Sequence, residues 1–157
     1  MIRVQAAGLS DTGKIRKANE DCFLLDPSLG LYVVADGMGG HRGGGVASQL
    51  AVDVIGTYLA APLTAPPDND RSDAVAAAQR LRQGIAMANR SIFDQSTASE
   101  ACRGMGTTIS ALYLIGDTLI TANVGDSPIY LLRNGTMRDL YTPHTLLHER
   151  KKIPKSM

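Results

Sequence analysis

The sequence predicts an α+β fold in which antiparallel β-sheet carries a pair of helices on one face. Three observations predict it: a hairpin near the start of the chain, two long amphipathic segments in the middle, and short apolar runs separated by turns in the last third. With 157 residues, of which 44% are hydrophobic and 20% charged, the chain has the size and composition of one soluble domain.

The first part of the chain predicts strands. Residues Arg3 to Leu9 form a modest strand candidate, which a turn through residues 10–13 ends. The apolar runs Cys22 to Leu25 and Leu31 to Ala35 flank the turn residues Asp26-Pro27-Ser28, so they predict an antiparallel hairpin.

Two helices follow. From Val46 to Ala61 the apolar residues recur every three or four positions, which is one face of a helix. A loop rich in proline and aspartate separates it from the second helix, for which Ser72 and Asp73 are a credible N-cap and first turn. That helix is predicted to end near Phe93, and both apolar stripes are assigned to the core.

The last third predicts a β-meander. Asn134-Gly135 between apolar runs is a strong hairpin signal, and Gly116-Asp117 marks another turn. The predicted strands are Gly106 to Ile115, Thr118 to Val124, Pro128 to Arg133 and Met137 to Tyr141.

Composition excludes several classes of protein. Aromatic residues make up only 4% of the chain, which argues against a base-stacking surface for nucleic acid. Cys22 and Cys102 lack the C-x-x-C spacing of a zinc or redox site. No apolar run is long enough for a signal peptide or a membrane span, so a cytoplasmic protein is expected. Residues 143–157 are predicted to form a basic, irregular tail after a domain spanning residues 1–142.

One bend combines an acidic residue with glycines. The strand Leu31 to Ala35 runs into Asp36, and glycines at 37, 39 and 40 then allow positive φ or close backbone approach. A carboxylate beside exposed carbonyl oxygens suits hard cations such as Mg²⁺ or Mn²⁺. The alternative is a plain strand-to-helix turn that Asp36 caps. Because the hairpin is antiparallel, Glu20 and Asp21 should lie near Asp36.

Four motifs in order resemble those of a known family. They are Arg16-x-x-Asn19-Glu20-Asp21, Val34-Ala35-Asp36-Gly37-Met38-Gly39-Gly40-His41, Gly104-Met105-Gly106-Thr107-Thr108 and Ala122-Asn123-Val124-Gly125-Asp126-Ser127. Together they resemble the metal-dependent PPM (type 2C) protein serine/threonine phosphatases, and Met38 with His41 resembles the bacterial members. The resemblance covers residues 13 to about 142 and implies an α-β-β-α sandwich, of which this chain would form part, with a pair of Mn²⁺ or Mg²⁺ ions at one end.

The resemblance also implies roles for single residues. Asp36 is similar to the carboxylate that bridges the two metals, and Gly37 to the residue that lends its backbone carbonyl to the second. Glu20 is similar to the other carboxylate on that second metal. Arg16 resembles the guanidinium that grips the substrate phosphate, a role for which a planar bidentate donor is better suited than lysine.

Three further residues have supporting roles by the same resemblance. Asp21 and His41 would stand behind the metal ligands rather than bind metal, and Asp126 resembles an acidic residue that helps to hold a further, weaker metal. Structural alternatives stay open for two of the residues: Arg16 could be a surface residue paired with Glu20 four positions later, and Asp126 could serve only a turn. Rival motifs fail, because the chain has neither a complete G-x-G-x-x-G nor G-x-S-x-G.

The family pattern is incomplete in this sequence. Relatives carry two more metal-binding aspartates in the part that should follow residue 150, and nothing here matches them, so we expect one weakly held cation and a shortened domain with uncovered sheet edges that favour oligomers. Two hypotheses follow. The chain is a phosphatase acting on phosphoserine and phosphothreonine in proteins, or it is an inactive module that binds a phosphoprotein or a serine/threonine kinase.

Overall fold

A computed structural model describes residues 3–39, 43–62 and 73–145. The elements, in chain order, are β1 (Asp21–Asp26), β2 (Leu31–Met38), α1 (Gly43–Ala60), α2 (Asp73–Ala98), a 3₁₀ turn (Glu100–Cys102), β3 (Gly106–Thr107), β4 (Ile109–Ile115), β5 (Thr118–Val124), β6 (Tyr130–Arg133) and β7 (Thr136–Asp139). The main sheet is antiparallel with the order β1-β2-β4-β5, and β3 pairs with the end of β2. Strands β6 and β7 form a separate two-stranded sheet. The α+β class is therefore confirmed.

The first hairpin has the predicted position. Asp21 pairs with Asp36 at its open end, and Asp26 pairs with Leu31 beside the turn. The Asp26 carboxylate accepts hydrogen bonds from the backbone N–H groups of Ser28 and Leu29, at 2.9 and 3.0 Å. This local bonding is the turn chemistry that a sequence of Asp, Pro and Ser favours.

Strands β3 and β4 are one strand interrupted at Thr108. Gly37 pairs with Thr107 and Val34 pairs with Ser110, so the register is the same on both sides of the interruption. The sequence predicted a single strand over this stretch. The interruption matters for function because Thr108 lies directly opposite Asp36.

The core lies between the main sheet and the two helices. In β2 the buried residues alternate, and Leu31, Val33 and Ala35 are each no more than 1% exposed. They pack against the apolar faces of α1 and α2, represented by Ile55 and Leu81. The other face of β2 carries Tyr32, Val34, Asp36 and Met38, and Val34 is 49% exposed. Hydrophobic burial therefore stabilises one face of the strand and leaves the other for chemistry.

The predicted strand over residues 3–9 is wrong. This segment has no strand partner within the described ranges. It does lie against β1, because a Cβ atom added to Gly8 would come within 2.7 Å of the Phe23 ring. An extended apolar segment fulfils the sequence pattern of a strand, but a strand also requires a neighbour to receive its backbone hydrogen bonds.

The helices differ from prediction mainly at their ends. The single β-meander is wrong, because β4 and β5 belong to the main sheet whereas β6 and β7 form the separate two-stranded sheet. Helix α1 begins at Gly43, earlier than its apolar stripe, and α2 continues to Ala98. In the β6–β7 turn, Asn134 and Gly135 have φ values of 53° and 72°, as the predicted hairpin turn requires. Residues 143–145 of the predicted tail are neither helix nor strand, and residues 146–157 lie outside the described residues. None of the described helices has the length and apolarity needed to cross a membrane.

Candidate functional site

An open pocket lies where β1 begins and β2 ends. Five of the seven sequence-predicted site residues line it: Arg16, Glu20, Asp21, Asp36 and Gly37. Asp11, Thr12, Ala18, Asn19, Met38 and Gly39 complete the wall. Asp126 is not a lining residue, and His41 lies outside the described residues. The hairpin thus brings the Arg16 segment and the glycine-rich bend together, as its register predicts.

Asp36 stands opposite Asp21 in a strand pair that brings their side chains close. The backbone N–H and C=O of Asp36 both bond to Thr108 on the β3–β4 side. They therefore point away from β1, which makes Asp21 and Asp36 a non-hydrogen-bonded pair, the kind with the shorter separation. Two carboxylates in this arrangement repel each other unless a proton or a cation lies between them.

The pKa of the Asp36 carboxyl is raised above its ordinary value. Partial burial is the largest cause, and the negative charge of Asp21 and a hydrogen bond with it come next. The charge of Asp126 also raises this pKa, although Asp126 does not line the pocket. The Arg16 guanidinium acts in the opposite direction and favours the charged carboxylate. The charges of Asp21, Asp126 and Arg16 thus all act on the Asp36 carboxyl.

Glu20 is fixed at the junction of β1, β2 and α1. Its carbonyl oxygen accepts hydrogen bonds from the Gly37 N–H at 3.1 Å and from the buried Ser48 hydroxyl at 2.6 Å. Its side chain lies against the start of α1, because a Cβ added to Gly44 would stand 2.7 Å from Glu20 Cδ. The same added atom would stand 2.9 Å from the Gly37 carbonyl carbon. The Glu20 carboxylate and the Gly37 carbonyl are therefore neighbours across a space that only glycine leaves open.

The donor set fits a hard divalent cation. The Glu20 carboxylate and the Gly37 carbonyl are neighbours. Asp36, at the same end of β2, lines the same pocket. Oxygen ligands of this kind suit Mg²⁺ and Mn²⁺, which commonly keep several waters. In the described part of the chain, no group of three His, Cys, Asp or Glu side chains could hold a metal ion. A cation here would therefore use the backbone carbonyl and water in addition to carboxylates.

Structural alternatives to these roles concern Asp36, Arg16 and Asp126. Asp36 lies within β2, well before α1 begins at Gly43, so it does not cap that helix. Among the described residues the ion pairs are Arg90 with Asp94 and Arg103 with Glu100, and Arg16 is not paired with Glu20. Asp126 follows Gly125, whose φ of 97° lies in the left-handed region typical of a turn, so the turn alternative for Asp126 stays open.

Sequence reasoning missed the residues that hold the site in place. Asn19 receives a hydrogen bond from the Asp21 N–H at 3.0 Å and donates one to the Ser10 hydroxyl at 2.6 Å. Thr107 donates its hydroxyl to the Asp36 carbonyl at 2.9 Å. His144 backs the Asp126 loop through two bonds with Gly125, at 3.0 and 3.2 Å. Asn19 and Thr107 lie inside two of the four motifs, which is their sequence signal, whereas His144 lies in the predicted tail and had none.

Comparison with known proteins gives consistent matches. The family model for protein phosphatase 2C matches residues 17–151. The serine/threonine phosphatase stp of Listeria welshimeri is 38% identical over 146 residues, which are 89% of this chain and 54% of that protein.

Two solved structures have the same fold. The Streptococcus agalactiae serine/threonine phosphatase is similar with a TM-score of 0.77 and 35% identity, over 92% of this chain and 57% of that one. The catalytic domain of the serine/threonine protein phosphatase PstP, solved with two manganese ions, is similar with a TM-score of 0.74 and 30% identity. The match covers 94% of this chain and 60% of that one.

Fold and site together define a class of protein, an α+β domain with a carboxylate-rich pocket suited to a hard cation beside an arginine. The chain belongs to the protein phosphatase 2C family. It spans about half the length of the curated relatives that it matches.

Proposed function

We propose that this chain contributes the Arg16, Glu20 and Asp36 side of a metal-dependent protein phosphatase site that hydrolyses phosphoserine and phosphothreonine in proteins. The observation that carries the proposal is the single pocket shared by an arginine, four carboxylates and the Gly37 backbone. The manganese-bound structure of a relative that is 30% identical supports Mn²⁺ or Mg²⁺ as the cofactor. Residues 1–142 would form the phosphatase part and residues 143–157 a basic tail; the cytoplasmic location and the expected oligomers stay predictions.

Each residue has a definite task in this proposal. Arg16 binds two oxygens of the phosphate dianion and orients it over the pocket. Glu20, Asp36 and the Gly37 carbonyl hold the cation, and Asp126 adds negative charge from the β5 side. When bound, the metal would supply water of lowered pKa and neutralise charge on the phosphate. Asp21 stands opposite Asp36 in the strand pair and would stand behind the metal ligands rather than bind the metal.

Phosphate release from a phosphothreonine peptide tests the proposal. We expect release by the chain with Mn²⁺ and none by Asp36→Asn. Replacing Arg16 with alanine should lower the rate by about 10- to 100-fold, since a hydrogen bond to a charged group contributes ~1.5–3 kcal/mol. Lys17→Ala is the matched control, because it removes a neighbouring positive charge that does not line the pocket. Equal rates for the native chain and Asp36→Asn would contradict hydrolysis at this site.

One observation favours a second function. Within the described ranges, no three His, Cys, Asp or Glu side chains form a group that could hold a metal ion. A chain that holds phosphate without hydrolysing it would bind a phosphoprotein, or a phosphorylated serine/threonine kinase, through Arg16. Binding of a phosphopeptide that Arg16→Ala abolishes, with no phosphate released, would establish this binding module instead.

A further inference from the structure

Thr108 contacts the backbone on both sides of the acidic site. It lies opposite Asp36 at the break between β3 and β4, and it also packs under the loop that carries Asp126. Neither its hydroxyl nor its methyl group lines the pocket. The contacts on each side show what this residue holds in place.

On the Asp36 side, the Thr108 hydroxyl replaces a backbone acceptor. The Thr108 N–H donates to the Asp36 carbonyl at 2.9 Å, as in a regular antiparallel pair. The reciprocal bond would run from the Asp36 N–H to the Thr108 carbonyl. Instead the Asp36 N–H donates to Thr108 Oγ1 at 3.1 Å. The position of the Asp36 backbone therefore depends on a side-chain hydroxyl.

On the other side, Thr108 contacts both neighbours of Asp126. Its hydroxyl is 2.6 Å from the Ser127 hydroxyl, a hydrogen bond in which either can donate. Its methyl group lies beside Gly125, where an added Cβ would come within 2.7 Å. The Ser127 carbonyl accepts further bonds from the Ser110 hydroxyl at 2.7 Å and from the Asn123 amide at 2.8 Å. The loop is thus anchored immediately before and after its carboxylate.

We propose that Thr108, through its hydrogen bond to Ser127, is a positioning residue that fixes the separation of Asp126 from Asp36 and thereby raises the affinity of the site for a divalent cation. The inference rests on the proposed function. Carboxylates of like charge repel, so without a cation the Asp126 loop tends to move away from Asp36. The shared hydroxyl bond resists that movement before a cation arrives, and preorganised ligands bind more tightly than ligands that must first be ordered.

The test measures Mn²⁺ affinity directly, from the loss of the free Mn²⁺ signal in electron paramagnetic resonance. Ser127→Ala removes the link while leaving the bond between Asp36 and Thr108 intact, and we expect Mn²⁺ affinity to fall about tenfold, which corresponds to ~1.4 kcal/mol. Ser110→Ala is the matched control: it removes one bond to the same loop but no link to Asp36. The Mn²⁺ affinity of Ser110→Ala should stay within about twofold of that of the native chain. A fall in Ser110→Ala as large as that in Ser127→Ala would overturn the inference.

A double-mutant cycle separates positioning from general stability. In an Asp126→Asn background there is no carboxylate to position, so Ser127→Ala should no longer change Mn²⁺ affinity. Thr108→Val should weaken binding, and Thr108→Ser, which keeps the hydroxyl, should restore most of it. The same loss from Ser127→Ala in both backgrounds would overturn the inference, as would native affinity in the Ser127→Ala single variant.

The controls also distinguish this inference from the function it rests on. If Asp36→Asn abolishes Mn²⁺ binding while Asp126→Asn and Ser127→Ala leave it unchanged, the proposed metal site stands and the positioning role is wrong. If Asp36→Asn binds Mn²⁺ as the native chain does, the site itself is wrong and the inference falls with it. In the metal-free protein, amide hydrogen exchange at Asp126 and Ser127 should also be faster in Ser127→Ala.

Discussion

The two faces of β2 differ in their exposure to solvent. The face toward the helices carries Leu31, Val33, Ala35 and Gly37, all buried. The opposite face carries Tyr32, Val34, Asp36 and Met38, of which Asp36 and two others are exposed. One strand thus joins the centre of the core to the centre of the site, and alternate residues serve the two purposes.

The difference shows how the fold keeps an unfavourable site in place. Asp36 lies opposite another carboxylate, which costs stability wherever no cation compensates. The residues on either side of it in sequence, Ala35 and Gly37, are packed against the helices and cannot move with it. Burial on one face therefore holds the charges together on the other. The following predictions test this division of roles.

The largest effect should come from a methyl group on the buried face at the end of β2. In Gly37→Ala the new Cβ would overlap the backbone of Gly44 and stand 2.5 Å from the Glu20 carbonyl oxygen. Neither backbone can give way cheaply, so we expect the free energy of unfolding to fall by about 3 kcal/mol.

Gly45→Ala is the control for that change, measured by the same urea denaturation. Its nearest neighbours would be 3.7 and 3.9 Å away, an ordinary contact distance. Since glycine is a poor helix former, this variant should be more stable than the native chain by up to ~1 kcal/mol. Equal stability of the two variants would show that α1 does not pack against β2 as described.

A second comparison uses two adjacent valines. Val33 is 1% exposed and Val34 is 49% exposed. Val33→Ala leaves a cavity between sheet and helices and should cost about 2 kcal/mol, whereas Val34→Ala should cost less than about 1 kcal/mol. Thermal and urea unfolding of both variants measure the difference. If Val34→Ala proved the more damaging, the open face would have to be buried in the folded protein in solution.

Sequence patterns sufficed for the parts of the fold that local rules determine. The apolar runs Cys22 to Leu25 and Leu31 to Ala35, with the Asp26-Pro27-Ser28 turn between them, predict the hairpin, and the hairpin alone places Glu20 and Asp21 beside Asp36. The apolar stripe of α1 likewise predicts the helix, although three glycines at its start concealed where it begins. These features depend on neighbours a few residues apart.

Long-range bonding could not be predicted in the same way. The bond between Asp36 and Thr108 spans 72 residues, and the bond between Thr108 and Ser127 spans 19. In the sequence, a threonine whose hydroxyl accepts a hydrogen bond from a strand N–H cannot be distinguished from any other threonine with good strand propensity. For residues 3–9 the failure is of another kind, since the strand pattern is present and the neighbouring strand is not found among the described residues.

The smallest predicted effect concerns the charge on the open face, and its sign depends on pH. Because the pKa of Asp36 is raised in the folded chain, the metal-free protein binds a proton there more tightly than the unfolded chain does. Stability therefore decreases as pH rises from the unfolded value near 3.8 through the folded value. Asp36→Asn removes this loss and should stabilise the metal-free chain near neutral pH, by less than ~1 kcal/mol because solvent screens the partly exposed carboxylate.

Asp26 provides the opposite case on the same hairpin. The Ser28 hydroxyl, and then the Leu29 N–H, lower the pKa of Asp26. Its charge therefore favours folding above the unfolded value, and this contribution is lost as pH falls through the folded pKa. Asp26→Asn should accordingly destabilise the chain at neutral pH, and this loss of stability should shrink in acid, where the favourable charge of Asp26 is lost. The gain in stability from Asp36→Asn should also disappear in acid, because the native Asp36 is then protonated and carries no unfavourable charge. Unfolding curves of both variants from pH 3 to pH 8 (roughly the range in which carboxylates titrate) measure the two slopes.

Excess Mn²⁺ should then reverse the order of Asp36→Asn and the native chain. A ligand that binds only the folded state adds stability in proportion to the logarithm of its concentration above Kd. The native chain should gain this stabilisation at neutral pH, and the variant should not, because it lacks the Asp36 carboxylate. If both proteins gained equally, the cation would bind elsewhere, and the open face of β2 would carry its paired carboxylates for some purpose other than metal binding.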